Sequence, residues 1–339
     1  MKRASLPVTK IAKEINVSPA TVSRVLNHPE LVKKQTSEKI KKKIIDAGYD
    51  FDSILSSQVE NNKRIIILSL PSIENPFYDN VVKGIKTSIN SHNYEVLLFI
   101  GNITKNNLSH FLDVVKMSNA RGVISLSRKL QTDIANEINK EFPFVQCTEY
   151  NKESDGVYVS INDYAAAKTA TEYIIGMNYK RIAFINGPLS FNYAQERLRG
   201  FEKAIEERGL VVPKNWKISL PEISYSLGYS AASQLLGTED RPDAIFCAAD
   251  VLAISVLKVA KRYNIRVPED LGVVGFDNIE VASITNPGIT TINQPSYQLG
   301  FTAGETIFEK INDPLSKPRS ILLDTELIAR DSIVPFSKK

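Results

Sequence analysis

The chain has 339 residues, 43% hydrophobic and 24% charged, with 42 Lys and Arg against 38 Asp and Glu for a net charge of +4. Length and balance point to a soluble globular protein of two or three domains and exclude collagen, a coiled coil and wholesale disorder. Residues 1–64 hold 13 basic and 7 acidic side chains and the rest 29 and 31, so a +6 segment precedes a −2 body. That asymmetry predicts a small module that meets a polyanion.

Between about 7 and 48, apolar residues recur at helical spacing in three blocks: Val8, Ile11, Ala12, Ile15; Val22, Val25, Leu26; and Ile40, Ile44, Ile45, Ala47. Three short helices sharing one core are expected. Ser18-Pro19 suits the start of the second, Thr36 or Ser37 the start of the third, and Gly48 its end. The tight Ile15-Asn16-Val17-Ser18 turn makes the first two a helix-turn-helix, whose second helix can enter a major groove. With Val22, Val25 and Leu26 inward, that helix presents Pro19, Ala20, Ser23, Arg24 and Asn27, flanked by Ser18 and Thr21. Arg24 can read guanine O6 and N7, Pro19 and Ala20 can touch a thymine methyl, and the hydroxyls of Thr21 and Ser23 can hold phosphates. The Lys39–Lys43 cluster reads equally well as a solvated helical face. Residues 50–63, with Asp50, Asp52 and Glu60 and no base before Lys63, read as a linker.

From Ile65 the pattern becomes α/β. Strands are predicted at 64–70, 94–100, 122–126, 144–147, 157–161, 181–185, 217–220, 244–247 and 272–276, with helices among them at 77–92, 164–177, 194–208, 226–236 and 251–263. Continuous apolar strands between helices imply parallel sheets covered on both faces. About 275 residues exceed one sheet's core, which predicts two doubly wound lobes with a cleft between them. Ligands of such folds lie beyond the C-terminal ends of strands. That rule selects Asn75, Phe77, Tyr78, Arg128, Glu149, Phe191, Tyr193, Asp250 and Asp277. The aromatic rings, Tyr225 included, can stack on a base or a sugar or belong simply to the core.

Cys147 and Cys247 lie in apolar runs without Cys-x-x-Cys spacing and read as buried reduced thiols. No signal peptide or membrane span is expected, so the cytoplasm, with the nucleoid, is the predicted location. Only His28, His92 and His110 are present, without metal spacing, and no nucleotide-binding glycine loop or nucleophile elbow occurs; no enzyme, metal or cofactor is expected.

The run from Ile11 to Asn27 (Ile-Ala-Lys-Glu-Ile-Asn-Val-Ser-Pro-Ala-Thr-Val-Ser-Arg-Val-Leu-Asn), followed by Gly48-Tyr49, resembles the DNA-binding domain of the lactose-repressor/galactose-repressor (LacI/GalR) family. Ser72-Ile73-Glu74-Asn75-Pro76-Phe77-Tyr78, Arg197-Leu198-Arg199-Gly200-Phe201, Gly275-Phe276-Asp277-Asn278 and Thr290-Thr291-Ile292-Asn293-Gln294-Pro295 resemble its effector domain. The resemblance implies a headpiece over 1–49, a hinge over 50–63, and a periplasmic-binding-protein-like body of type I over 64–339. In that body the N-lobe comprises 64–162 and 293–322, the C-lobe 163–292 and 323–339, with crossings near 162, 293 and 323. It places effector contacts at Arg197, Asp277, Phe77 and Tyr78. An arginine in the cleft can donate to ligand hydroxyls or carbonyls while pairing with Asp277, or can serve as a structural ion pair between the lobes. It implies a homodimeric repressor with operator DNA, a small-molecule effector and, as a further partner, another DNA-bound regulator.

Within the family, Asn27-His28-Pro29-Glu30, Cys147-Thr148-Glu149-Tyr150 and Thr325-Glu326-Leu327-Ile328-Ala329-Arg330 are most similar to a nucleoside-responsive branch, so a nucleoside such as cytidine is the expected effector. A sugar-responsive regulator is the alternative, because Arg197 and Asp277 suit either ligand; Ile223 replaces an aromatic residue of that branch, which speaks against an identical ligand pose. A solute receptor shares the body but has no use for the headpiece. The hinge departs from the family: Phe51 stands where a Pro is usual and Gln58 where a leucine wedges the minor groove, which predicts a loosely tethered headpiece.

Overall fold

A computed structural model describes residues 8–27, 31–49, 51, 64–127, 130–313 and 320–337. It divides into two units, Met1–Arg64 and Ile65–Lys339. The expected hinge falls almost wholly outside the described residues. Among the described residues no helix is long and apolar enough to cross a membrane.

Among the described residues of the first unit lie the helices α1 (Val8–Glu14), α2 (Pro19–Asn27) and α3 (Lys34–Asp46). Ile11, Ala12, Val22, Val25, Leu26, Ile40 and Ile44 form its core, as the 3.6-residue spacing requires. Asn16 takes a left-handed φ of 57° in the turn, and the Ser18 hydroxyl accepts the Thr21 backbone N–H at 3.1 Å, capping α2. Helix α3 begins at Lys34 without a side-chain cap, two residues ahead of the Thr36 expectation, and Ile45 faces solvent. Gly48 ends it with φ 81°. Phe51 is buried in this core with the Lys41 ammonium 5.1 Å from its ring, so the residue replacing the hinge proline packs with the headpiece.

The second unit is built on two six-stranded sheets. Its elements are β1 (Ile65–Leu70), α4 (Phe77–Ser91), β2 (Glu95–Ile100), α5 (Leu108–Met117), β3 (Ala120–Ser125), α6 (Thr132–Glu141), β4 (Phe144–Cys147), β5 (Val157–Ile161), α7 (Asp163–Gly176), β6 (Ile182–Asn186) and α8 (Asn192–Glu207). They continue with β7 (Lys217–Ser219), α9 (Tyr225–Leu236), β8 (Ala244–Cys247), α10 (Asp250–Arg262), β9 (Gly272–Asp277), α11 (Glu280–Ile284), β10 (Thr290–Asn293), α12 (Ser296–Asn312), β11 (Ser320–Leu323) and β12 (Glu326–Ile328). The first sheet runs β11-β5-β4-β3-β1-β2, all parallel. The second runs β12-β10-β9-β8-β6-β7, parallel except for β12.

The chain passes between the sheets after β5, after β10, and between β11 and β12. These crossings bring the C-terminal strand ends of both sheets to one cleft. In the first lobe α4 and α12 pack backbone to backbone, because a Cβ on Gly84 or Gly300 would collide with the carbonyl of Tyr297 or Val81. Cys147 and Cys247 are buried free thiols.

Candidate effector cavity and DNA-reading helix

On α2 the outward positions are those the apolar spacing leaves over. Ser18, Pro19, Ala20, Ser23 and Arg24 are exposed and Thr21 is half-buried, its hydroxyl 2.8 Å from that of Ser18. Asn27 closes the helix; its side chain lies outside the described residues. Lys43 is drawn into an ion pair with Glu14 at 2.9 Å, joining α3 to α1, so that member of the lysine cluster has an intramolecular role.

In the body, a cavity of about 250 Å³ opens where strand ends of both sheets converge. The first sheet contributes Asn75, Phe77 and Tyr78 after β1, Asn102 after β2, and Thr148 and Glu149 after β4. The second contributes Phe191, Tyr193 and Arg197 around the start of α8, Ile223 after β7 and Asp277 at the end of β9. Asp163 and Gln294 lie at two of the crossings. Thr148 and Asp277 both hold left-handed backbone, φ 67° and 110°, a strain that non-glycine residues carry where the surroundings over-determine the geometry.

Arg197 is the electrostatic centre. Its buried guanidinium donates Nε to Asp163 Oδ1 at 2.8 Å and Nη1 to the Ala248 carbonyl at 2.6 Å, and lies 3.4 Å from the centroid of the Phe276 ring. The expected pairing with Asp277 is present as a long ion pair: Nη1 is 3.9 Å from Asp277 Oδ1, and that oxygen also accepts Gln294 Nε2 at 2.6 Å. Burial pushes the Asp277 carboxyl up to about 8, with Arg197 opposing it. Asp163 is raised by burial too, again against Arg197.

Glu149, selected by the strand-end rule, lies on the cavity wall. Both its oxygens are engaged: Oε2 accepts the Asn192 backbone N–H and Oε1 that of Tyr193, each at 2.9 Å. These are unsatisfied donors of the first turn of α8, whose positive end favours a carboxylate. Burial nevertheless pushes Glu149 up to about 8. Burial also raises the Tyr78 and Tyr193 phenols, so both are neutral hydroxyls able to donate and accept.

Asp250 is a correction. It follows β8 as the strand-end rule requires, but it is absent from the described cavity wall. Its carboxyl turns into the second sheet, Oδ2 accepting the Ile279 N–H at 2.9 Å and Oδ1 the Thr291 hydroxyl at 2.7 Å. Burial raises it to about 7, and its role is to hold the loop after β9. Arg128 lies outside the described residues. Tyr225 does not line the cavity.

Asp163, Asn102, Thr148 and Gln294 were missed. Asp163, two residues beyond β5, and Asn102, two residues past β2, are both accessible to the same rule. Gln294 stood within the quoted Asn293-Gln294-Pro295 run but carried no assigned role.

A DNA-reading helical headpiece joined to two parallel-sheet lobes around a ligand-sized cavity defines a ligand-controlled DNA-binding regulator. Residues 8–50 match the bacterial regulatory proteins of the lacI family, and residues 171–333 match a periplasmic binding protein-like domain. The chain is 32% identical to the HTH-type transcriptional repressor CytR of Escherichia coli K12 over 325 residues, covering 95% of this chain and 94% of that one. It is 32% identical to the NTD biosynthesis operon regulator NtdR of Bacillus subtilis over 327 residues, 96% of this chain and 99% of the relative. The structure of the lac repressor dimer bound to operator and an anti-inducer superposes with TM-score 0.76 at 20% identity, covering 98% of this chain and all of that one. The chain belongs to the lacI family, non-enzymatic DNA-binding repressors with an effector-binding domain.

Proposed function

We propose that this protein is a homodimeric repressor whose affinity for a roughly two-fold-symmetric operator is set by a nucleoside such as cytidine bound between the two sheets. The observation that carries this reading is the Arg197–Asp163 ion pair beside Asp277 in a cavity walled by the Tyr78, Phe191 and Tyr193 rings. Flat rings suit a base; carboxyl and amide oxygens suit an exocyclic amine and ribose hydroxyls. The resemblance of the chain to a nucleoside-responsive branch supports the same ligand. Ser18, Pro19, Ala20, Thr21, Ser23, Arg24 and Asn27 are assigned to the operator, and Asn75, Phe77, Tyr78, Glu149, Phe191, Tyr193, Arg197 and Asp277 to the effector site.

Two features support a dimer. Strand β2 is an open edge of the first sheet and exposes Leu97, Leu98 and Ile100, an apolar edge that a second copy can cover. The lac repressor, of the same fold, binds operator as a dimer. Repression implies a place in the cytoplasm, with the chromosome. The effector controls operator affinity only through a difference in its affinity for two lobe arrangements.

A second reading, a sugar effector, is favoured by Ile223, an aliphatic wall residue where stacking on a base calls for a ring. Thermal-shift measurement against nucleosides, bases and sugars separates the two. Stabilisation by cytidine supports the first; stabilisation by sugars with every nucleoside silent removes it.

A further inference from the structure

The cavity carries a charge signature that restricts its ligand more tightly than its shape does. Among the described lining residues Arg197 is the single cation, and it is already engaged by Asp163 and the Ala248 carbonyl. Against it stand five carboxyls, with Glu149, Asp163 and Asp277 buried and Glu74 and Glu222 exposed. A separate observation points to the ligand: Oδ1 of Asn102, on the same wall, is buried without a hydrogen-bond partner. A buried acceptor left unpaired is costly, and a ligand donor is what relieves it.

We propose that the effector enters this cavity as an uncharged or cationic molecule rich in hydrogen-bond donors, and that the phosphorylated or carboxylated form of the same scaffold is rejected. The inference rests on reading this cavity as the effector site; it does not depend on whether the scaffold is a nucleoside or a sugar. A phosphate would set like charge near the exposed Glu74 and Glu222, would lose its hydration in a cavity whose one cation among the described residues is already engaged, and would offer mainly acceptors to the unpaired Asn102 oxygen. Hydroxyl and amino groups instead supply donors to Asn102 and to the free lone pairs of Glu149 and Asp277. The molecule sensed therefore stands before a phosphotransfer step or after a phosphate-removing one, and the repressor reads the free compound and not the product of a kinase.

Burial holds Glu149 and Asp277 up to about 8, so a positive ligand group draws protons off them and an anion draws protons on. The groups facing them are Arg197, Asp163, Asp250, Tyr78 and Tyr193.

The test is calorimetric titration of the full chain with matched pairs, cytidine and cytidine 5′-monophosphate, ribose and ribose 5-phosphate, together with inorganic phosphate as a probe in thermal-shift assays. Whichever scaffold binds, its free form is expected to bind at least ~100-fold more tightly than its phosphate. Inorganic phosphate is expected to give no stabilisation traceable to the cavity, a result that decides the case even when no organic ligand in the panel binds. Glu222→Lys, a change at an exposed position, is expected to narrow the gap within a pair. Equal or tighter binding of a phosphate ester overturns the proposal, as does phosphate stabilisation that disappears in Arg197→Met. Failure of cytidine and of its 5′-monophosphate, with ribose bound over its phosphate, removes the nucleoside reading alone; cytidine 5′-monophosphate binding as well as cytidine removes this inference alone.

Discussion

Glu149, on the loop after β4 of the first sheet, accepts the backbone N–H of Tyr193 at the start of α8 in the second lobe, 2.9 Å away. With the matching bond from Asn192 the Glu149 carboxyl group becomes an N-terminal cap supplied from the opposite lobe. The lobes are tied at the cavity by this side chain.

Glu149→Gln keeps one acceptor oxygen and turns an amide NH₂ toward the second backbone N–H. Leaving that donor unsatisfied is expected to cost about 1–3 kcal/mol, read as a lowered Tm. An unchanged Tm shows that the cap contributes nothing to stability.

Arg197→Met leaves Asp163 buried without its cation. Breaking a buried pair on one side costs about 3–5 kcal/mol. The double variant Arg197→Met, Asp163→Leu is expected to recover much of that stability and still fail to bind effector. Stability recovered together with binding removes Arg197 from the site.

The raised carboxyls set a pH dependence whose sign follows from linkage. Glu149 and Asp277 keep protons in the folded state up to about 8 but lose them near 4 when unfolded. The folded state therefore binds more protons between those values, and stability of the ligand-free protein falls as pH rises from about 5 to 8. Tm is expected to be lower at pH 8 than at pH 6, with the slope reduced in Asp277→Asn; a flat profile contradicts the assignment.

In the headpiece, Arg24→Ala is expected to weaken specific DNA binding by about 1–3 kcal/mol and relax discrimination between operator and random duplex. Discrimination equal to that of the unaltered protein denies Arg24 a role in reading bases.

The fold was legible because its strands are continuous apolar runs and its helices amphipathic. β10, β11 and β12 escaped: they have three or four residues each, and β11 and β12 are partly exposed edges, so neither length nor apolar continuity marks them. The headpiece core followed from periodicity, except for Phe51, whose inward packing lies beyond the last periodic residue. For the site, strand ends located Glu149 and Asp277 but also Asp250. The rule fixes where a residue lies along the chain; which way its side chain turns depends on partners such as Ile279 and Thr291, which are remote in sequence. Glu149 was found, but its engagement with the first turn of α8 arises only when two lobes meet.

The central claim is that occupancy of the cavity controls operator binding. Its most direct test is fluorescence anisotropy of an operator duplex, selected from random sequences with the purified protein, titrated with and without saturating effector, for the unaltered chain and for Arg197→Met. The effector is expected to change operator affinity by about 5- to 150-fold in the unaltered chain and not at all in the variant. An effector that binds the cavity and leaves operator affinity unchanged in the unaltered chain would contradict the account.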